Sequence, residues 1–182
     1  CIRDRGSIHR PAAHCGVIGY KPTFDTFSLH GVWPAAQSLD TLGLLTRSMD
    51  DVELLSAALV GRPARLERSL ISAPRIAICN THLWNIVKPE TLEAIEIAKE
   101  VLAAKGAEVS DLILPDSFDE LVPARDIISS YERARATAYE WYNHRDLLSD
   151  PLQGAVAKGF GWKYEEYTRA IKVGADRRRD LD

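Results

Sequence analysis

The sequence predicts an α/β fold that passes into an all-helical C-terminal part, and three observations predict it. Residues 75–114 alternate two short β-branched runs with one long amphipathic stretch, the order of a βαβ unit. An apolar run punctuated by glycine fills 14–22 and reads as a buried strand. From Pro123 onward the pattern is helical only.

Each element follows from its residues. Gly6-Ser7 leads into a turn at Pro11-Ala12. In the 14–22 run Val17, Ile18 and Tyr20 supply β-branched and aromatic bulk, and Pro22 closes it. A second short extended piece is expected over 27–33, where charge is low and glycine and proline form the bounds. Ser48 reads as an N-cap with Asp51 as its capping partner. Val52, Leu55, Ala58 and Leu59 then give a helical stripe that ends at Gly61. Residues 61–75, with Pro63, Pro74 and four arginines, read as a surface connection.

A third strand is expected over 75–79 through Ile76, Ala77 and Ile78. A long helix follows, with Pro89 in its first turn and Gly106 just past its end. Leu92, Ile95, Lys99 and Leu102 mark one spacing along it, and Ile97, Val101 and Ala104 widen the apolar face. A fourth strand is expected over 109–114. Beyond it, helices are expected over about 123–147 and 163–180, separated by a break at Asp150-Pro151.

Composition bounds the function. The chain has 182 residues, 46% of them apolar and 27% charged, which suits one globular domain with a core. A net charge of -3 argues against a dedicated nucleic-acid binder. No apolar run reaches the ~20 residues of a membrane span. Three widely spaced cysteines (Cys1, Cys15 and Cys79) suggest reduced thiols and a cytoplasmic protein rather than a disulfide framework. The chain opens on Cys1 rather than Met, as an excised piece would.

The most specific stretch is 6–50. It carries Gly6-Ser7, Pro11-Ala12, Cys15-Gly16-Val17-Ile18-Gly19-Tyr20-Lys21-Pro22-Thr23, Gly31, Pro34, Ser38-Leu39-Asp40-Thr41, Gly43 and Arg47-Ser48. At these spacings it resembles the amidase signature family. Members carry Gly-Gly-Ser, Pro-Ala, Cys-Gly-Val-x-Gly-x-Lys-Pro-Thr, Ser-Leu-Asp-Thr-x-Gly and Ala-Arg-Ser. The resemblance is tight over 6–50 and follows only the order of elements over 51–182. It implies a fragment of the amidase-signature fold, a mixed β-sheet core flanked by helices with a helical C-terminal part. On that expectation 1–182 is a single partial domain, with a signature segment over 1–50, an α/β segment over 51–122 and a helical segment over 123–182.

The resemblance also implies chemistry. Family members cleave carboxylic amide C–N bonds through an acylated serine, which a lysine deprotonates through a second serine held in a cis peptide. A hydroxyl needs such a base before it attacks, and burial can hold a lysine neutral. Ser7 matches the nucleophile. The oxyanion hole would be the backbone N–H groups of Asp4, Arg5, Gly6 and Ser7. Arg5 stands where the family has glycine, a departure that would disturb the hole. The family's lysine and cis-serine precede the segment that opens this chain, so one catalytic residue of three is expected here, and the isolated chain is expected to be inactive.

No metal or organic cofactor is implied. The expected ligand is a small-molecule amide, with no nucleic-acid or membrane partner and with homo-oligomerisation left open. A sheet cut before its first strands would expose edges, so poor solubility or self-association is expected of the isolated chain. Two other readings stay open: a subunit like the one that supplies ammonia to misacylated tRNA, working with partner subunits, and a non-catalytic remnant.

Other residues read as structural. Arg10 and Lys21 are assigned to the scaffold. His9 and His14, close to Cys15, match no zinc spacing and are expected to pack. Arg177, Arg178 and Arg179 read as a solvated helix end. Trp141, Tyr142, Trp162, Tyr164 and Tyr167 are expected in inter-helix packing, with one or two lining an acyl pocket as the resemblance implies.

Overall fold

A computed structural model of the chain describes residues 7–65, 73–81 and 84–181. It divides into two compact units: Cys1–Glu67 with Pro123–Ala175, and Arg68–Val122 with Asp176–Asp182.

The first unit opens with a short helix, α1 (His9–Cys15), followed by strand β1 (Ile18–Tyr20). Part of the strand expected over 14–22 is therefore helical. Pro11 lies in the first turn of α1, where its missing N–H is not needed. Gly16 ends the helix at a left-handed φ of 64°, and Val17 N–H donates back to the Ala12 carbonyl at 3.0 Å. Only then can the chain extend. β1 pairs antiparallel with β2 (Leu44–Thr46), Gly19 lying opposite Leu45.

The expected extended piece over 27–33 is not a strand. Thr26 N–H bonds the Thr23 carbonyl and Val32 N–H the Leu29 carbonyl, so the segment is a series of tight turns. Phe27 at its start is buried with Leu44 and Val52. The partner of β1 is instead β2, a segment to which the sequence pattern assigns no strand.

Helix α2 (Met49–Leu59) starts as expected: Ser48 Oγ accepts the Asp51 N–H at 3.1 Å. Its expected stripe holds only at Val52. Leu55 and Leu59 are close to half exposed, and Ala57 is the second residue that α2 buries. The connection beyond Leu59 folds back on the helix. Glu53 accepts both Nη atoms of Arg62, at 2.6 and 2.9 Å, and the Arg65 N–H at 2.7 Å. The remainder of that connection, 66–72, lies outside the described residues.

The helical part of this unit is α4 (Leu121–Ala136) from Pro123 onward, α5 (Ala138–Asn143), α6 (Asp150–Gly161) and α7 (Tyr164–Arg179) as far as Ala175. Asp150-Pro151, expected as a break, begins α6, because proline fits the first turn. Helix α6 is thus an element that the sequence pattern does not predict. It lies against α4 at Gly159, where an added Cβ would stand 1.9 Å from the Ser130 carbonyl oxygen and 2.7 Å from Ala134 Cβ. Ala124, Ile128 and Ala170 form the buried centre, with Leu39 of the signature segment packed on it.

In the second unit, β3 (Arg75–Asn80) and β4 (Glu108–Ile113) run parallel, with α3 (Pro89–Ala104) connecting them. This is the βαβ unit that the sequence predicts. Ile95, Lys99 and Leu102 of α3 are half-buried, but Ile97 and Val101 stay about half exposed and α3 fully buries no side chain. Lys99 reaches Glu96 at 3.0 Å and Asp111 of β4 at 3.3 Å. Phe118, beyond β4, is buried under the guanidinium of Arg177. The arginine run is therefore not uniformly solvated. Arg177 has a side chain only 20% exposed and pairs with Asp180, whereas Arg179 is largely exposed and pairs with Asp176.

Candidate functional site

Ser7 occupies a half-buried turn immediately ahead of α1, so whatever fixes α1 also fixes Ser7. The anchor is Ile8, only 1% exposed. Its side chain fills the space over Gly43, where a Cβ would come within 2.0 Å of Ile8 Cδ1. On the other side, α1 approaches β1 so closely that a Cβ at Gly19 would stand 2.8 Å from Ala12 Cβ and 3.1 Å from the Ile8 carbonyl oxygen. Glycine at 19 and 43 is therefore a steric requirement for seating the turn that carries Ser7. The remaining oxyanion-hole candidates, Asp4, Arg5 and Gly6, lie outside the described residues.

The residues assigned to the scaffold divide. Lys21 Nζ donates to the Pro22 carbonyl at 2.6 Å, which ties it to the strand end. His9, His14 and Cys15 are exposed rather than packed. Among the described residues, no group of three or more His, Cys, Asp or Glu is placed to hold a metal ion.

The Ser-Leu-Asp segment has the richest geometry. Asp40 is 2% exposed, and its Oδ2 accepts the N–H groups of Ala35 at 2.7 Å and Ala36 at 3.0 Å, so the carboxylate folds its own loop. Leu39 enters the helical core. Ser38 faces α4: its N–H donates to Glu132 Oε2 at 2.9 Å and its hydroxyl to Oε1 at 2.6 Å. Tyr167 of α7 donates to the same Oε1 at 2.7 Å. One carboxylate thus joins three chain segments. Burial, followed by the hydrogen bond to Glu132 and that carboxylate's charge, pushes the Tyr167 phenol up to about 12.

Beside this junction lies a cleft of about 850 Å³. Tyr131, Glu132, Arg135, Tyr167, Ser38 and Phe24 are among the residues that line it, and Ser7 is not. Tyr131 stacks on Tyr167 with centroids 4.3 Å apart, and Arg135 sits 3.1 Å above the Tyr131 ring. The other aromatics follow expectation in part. Trp162 donates to Ser130 Oγ at 2.9 Å and Trp141 tilts against Phe160, whereas Tyr142 and Tyr164 are mostly exposed. Sequence reasoning does not single out Glu132, Tyr131 or Arg135. A signal existed: Glu132 falls four residues after Ile128 and eight after Ala124, a carboxylate in line with an apolar stripe.

A family model described as Amidase matches residues 5–178. The chain belongs to the amidase family. It is 32% identical over 189 residues to the glutamyl-tRNA(Gln) amidotransferase A subunit of Shouchella clausii and 33% identical over 190 residues to that of Staphylococcus carnosus. Each match takes in 93% of this chain and 38% of the relative, so the chain spans well under half the length of these curated relatives. A crystal structure of an amidase superposes with a TM-score of 0.88 at 27% identity, over 100% of this chain and 41% of the other. The fold of this amidase-family chain is accordingly part of a larger mixed α/β architecture.

Within the amidase-family chain the signature residues separate by physical task. Gly19 and Gly43 clear space beneath the Ser7 turn, and Asp40 closes its own loop. Ser38 and Leu39 attach that loop to the helices. Ser48 caps α2. Among the described residues, no helix is long and apolar enough to cross a membrane.

Proposed function

We propose that this amidase-family chain carries the acylating serine of an amide hydrolase. Ser7 Oγ adds to the carbonyl carbon of a carboxylic amide as its proton passes to a base. The tetrahedral intermediate collapses with loss of ammonia or an amine, leaving an acyl ester on Ser7, and water then hydrolyses the ester to the carboxylate. The observation that carries this reading is the family match over residues 5–178, a span that includes Ser7. The packing of Ile8 against Gly43, which holds the Ser7 turn, supports it. In this reading the backbone N–H groups of Asp4, Arg5, Gly6 and Ser7 would receive the oxyanion. The base is the family's lysine acting through a second serine, positions that no residue of this chain matches. No step calls for a metal or organic cofactor.

The test is labelling of the purified chain with a fluorophosphonate, mapped by peptide mass beside a Ser7→Ala control. Label on Ser7 that the control lacks supports an activated serine. Label elsewhere, or equal label in the control, removes Ser7 from the role.

A second reading has specific support, because curated relatives at 30% identity or more are amidotransferase A subunits. In it the same acyl chemistry supplies ammonia to a partner protein instead of releasing it. Amide hydrolysis at the same rate with and without partner proteins would count against this reading.

A further inference from the structure

We propose that the cleft beside Glu132 is a binding site for a small monocarboxylate with an apolar body, its carboxylate held by Arg135. The proposal concerns a ligand rather than the reaction and does not depend on the role of Ser7.

The cleft lies within the first unit, and its volume falls in the range of small-molecule sites. The 24–40 segment supplies apolar Phe24, Leu29 and Pro34 together with Asp25 and Asp40, and Phe24 is about half exposed. The helical part supplies Tyr131, Glu132, Arg135 and Tyr167, so charged groups come from both segments and the cation from α4.

The carboxylates at the cleft are not equivalent. Both oxygens of Glu132 accept hydrogen bonds, one from the Ser38 N–H and the other from the hydroxyls of Ser38 and Tyr167. Asp40 is buried and accepts two backbone N–H groups through Oδ2. Both negative charges are therefore already met by donors of the protein. Asp25 is exposed and is the acidic group of the lining that a ligand would meet from solvent.

Among the described residues, Arg135 is the one cation of the lining. Its Nη1 donates to the Tyr131 carbonyl at 2.9 Å and leans toward the Gly159 carbonyl at 3.5 Å, while its plane rests on the Tyr131 ring. Among the described residues, no carboxylate pairs with it. A guanidinium has five N–H donors in a planar fork. Held by the ring and by one carbonyl, it keeps a pre-oriented edge for a carboxylate at little entropic cost. The Tyr131 ring is covered by Tyr167 on one face and Arg135 on the other, so a ligand's apolar body would lie on Phe24, Leu29 and Pro34 instead.

The test is isothermal titration of the full chain at low salt with three probes of one shape: benzoate, benzamide and benzylamine. Benzoate is expected to bind saturably and at least about tenfold more tightly than benzamide, the scale of a charge-assisted hydrogen bond. Benzylamine is expected not to compete. Arg135→Gln should weaken benzoate about tenfold or more. Asp25→Asn, which removes a like charge from the rim, should leave the affinity equal or raise it. Arg135→Lys keeps the charge and loses the fork, so a several-fold loss at an unchanged melting midpoint carries the test if Arg135→Gln does not fold. The proposal is overturned by equal affinity for benzoate and benzamide, by binding indifferent to both Arg135 variants, or by no benzoate binding at tens of millimolar. Benzylamine binding that Asp25→Asn abolishes would reassign the cleft to a cation.

Discussion

In the unit formed by Cys1–Glu67 and Pro123–Ala175, buried side chains run from Ile8 and Phe27 through Leu44 and Val52 to Ile128, Val156 and Ala170. In the unit formed by Arg68–Val122 and Asp176–Asp182, Phe118 is the one fully buried apolar side chain among the described residues. Yet the second unit has the longer strands, a six-residue parallel ladder with a four-turn helix between them, against three-residue β1 and β2 in the first. The difference separates two contributions that usually come together. Backbone hydrogen bonding and helical periodicity are local and form wherever the pattern allows. Burial needs a second surface, and α3 meets only one face of a two-stranded ladder. Ile97 and Val101 stay about half exposed.

The largest effect should come from cutting the core of one unit and not the other. Ile128→Ala should destabilise the first unit by about 3 kcal/mol, because it leaves a cavity among packed helices. Ile95→Ala on α3 should cost about 1 kcal/mol, because that side chain is only half-buried. Urea unfolding followed through Trp141 and Trp162 for the first unit, and Trp84 for the second, reads both; equal costs would break the contrast. Overpacking should come next. Gly159→Ala should cost about 2 kcal/mol, because the added methyl meets the Ser130 carbonyl and no flexible end can yield. An unchanged unfolding midpoint would mean that α6 does not lie against α4 as described.

A smaller effect is expected at the helix cap. Ser48→Ala should cost about 1 kcal/mol by orphaning the Asp51 N–H. Ser48→Asp, which restores an acceptor, should recover most of it in the same assay. The smallest effect is electrostatic and sits on the surface of α2. Hydrogen bonds from Arg62 and from the Arg65 N–H lower the Glu53 carboxyl from 4.5 to about 2. A folded pKa below the unfolded value means that the stabilising contribution is present above about pH 4.5 and lost as pH falls through about 2. A carboxyl NMR titration should place the Glu53 midpoint near 2, and Glu53→Gln should flatten the fall in stability over that window. A midpoint near 4.5 would remove the fork from the account.

Legibility followed the same division. The βαβ order, the Ser48 cap, Pro89 in the first turn of α3 and Gly106 beyond its end were all readable, because each rests on local periodicity or on neighbours within one turn. Readings that needed a distant partner went astray. Residues 27–33 look like a strand, but the partner of β1 is β2, with Phe27 drawn into the core instead. Asp150-Pro151 looks like a stop and is a start. The choice depends on the residues downstream, a helix held to α4 through Gly159.

The amino-acid sequence by itself determined the family likeness, the βαβ order, the Ser48 cap and the bounds of α3, because fixed spacing and short-range periodicity are properties of the chain alone. Only the tertiary structure decided that Ser38, Leu39 and Asp40 serve three different surfaces, and that Glu132 joins Ser38 to Tyr167 across 94 and 35 residues of sequence. It alone also brought Arg135 to the Tyr131 ring beside a wall made by Phe24 and Leu29. The physical reason is that a carboxylate's hydrogen bonds and a cleft's opposing walls are set by which segments meet in space, and nothing local in a sequence specifies that meeting.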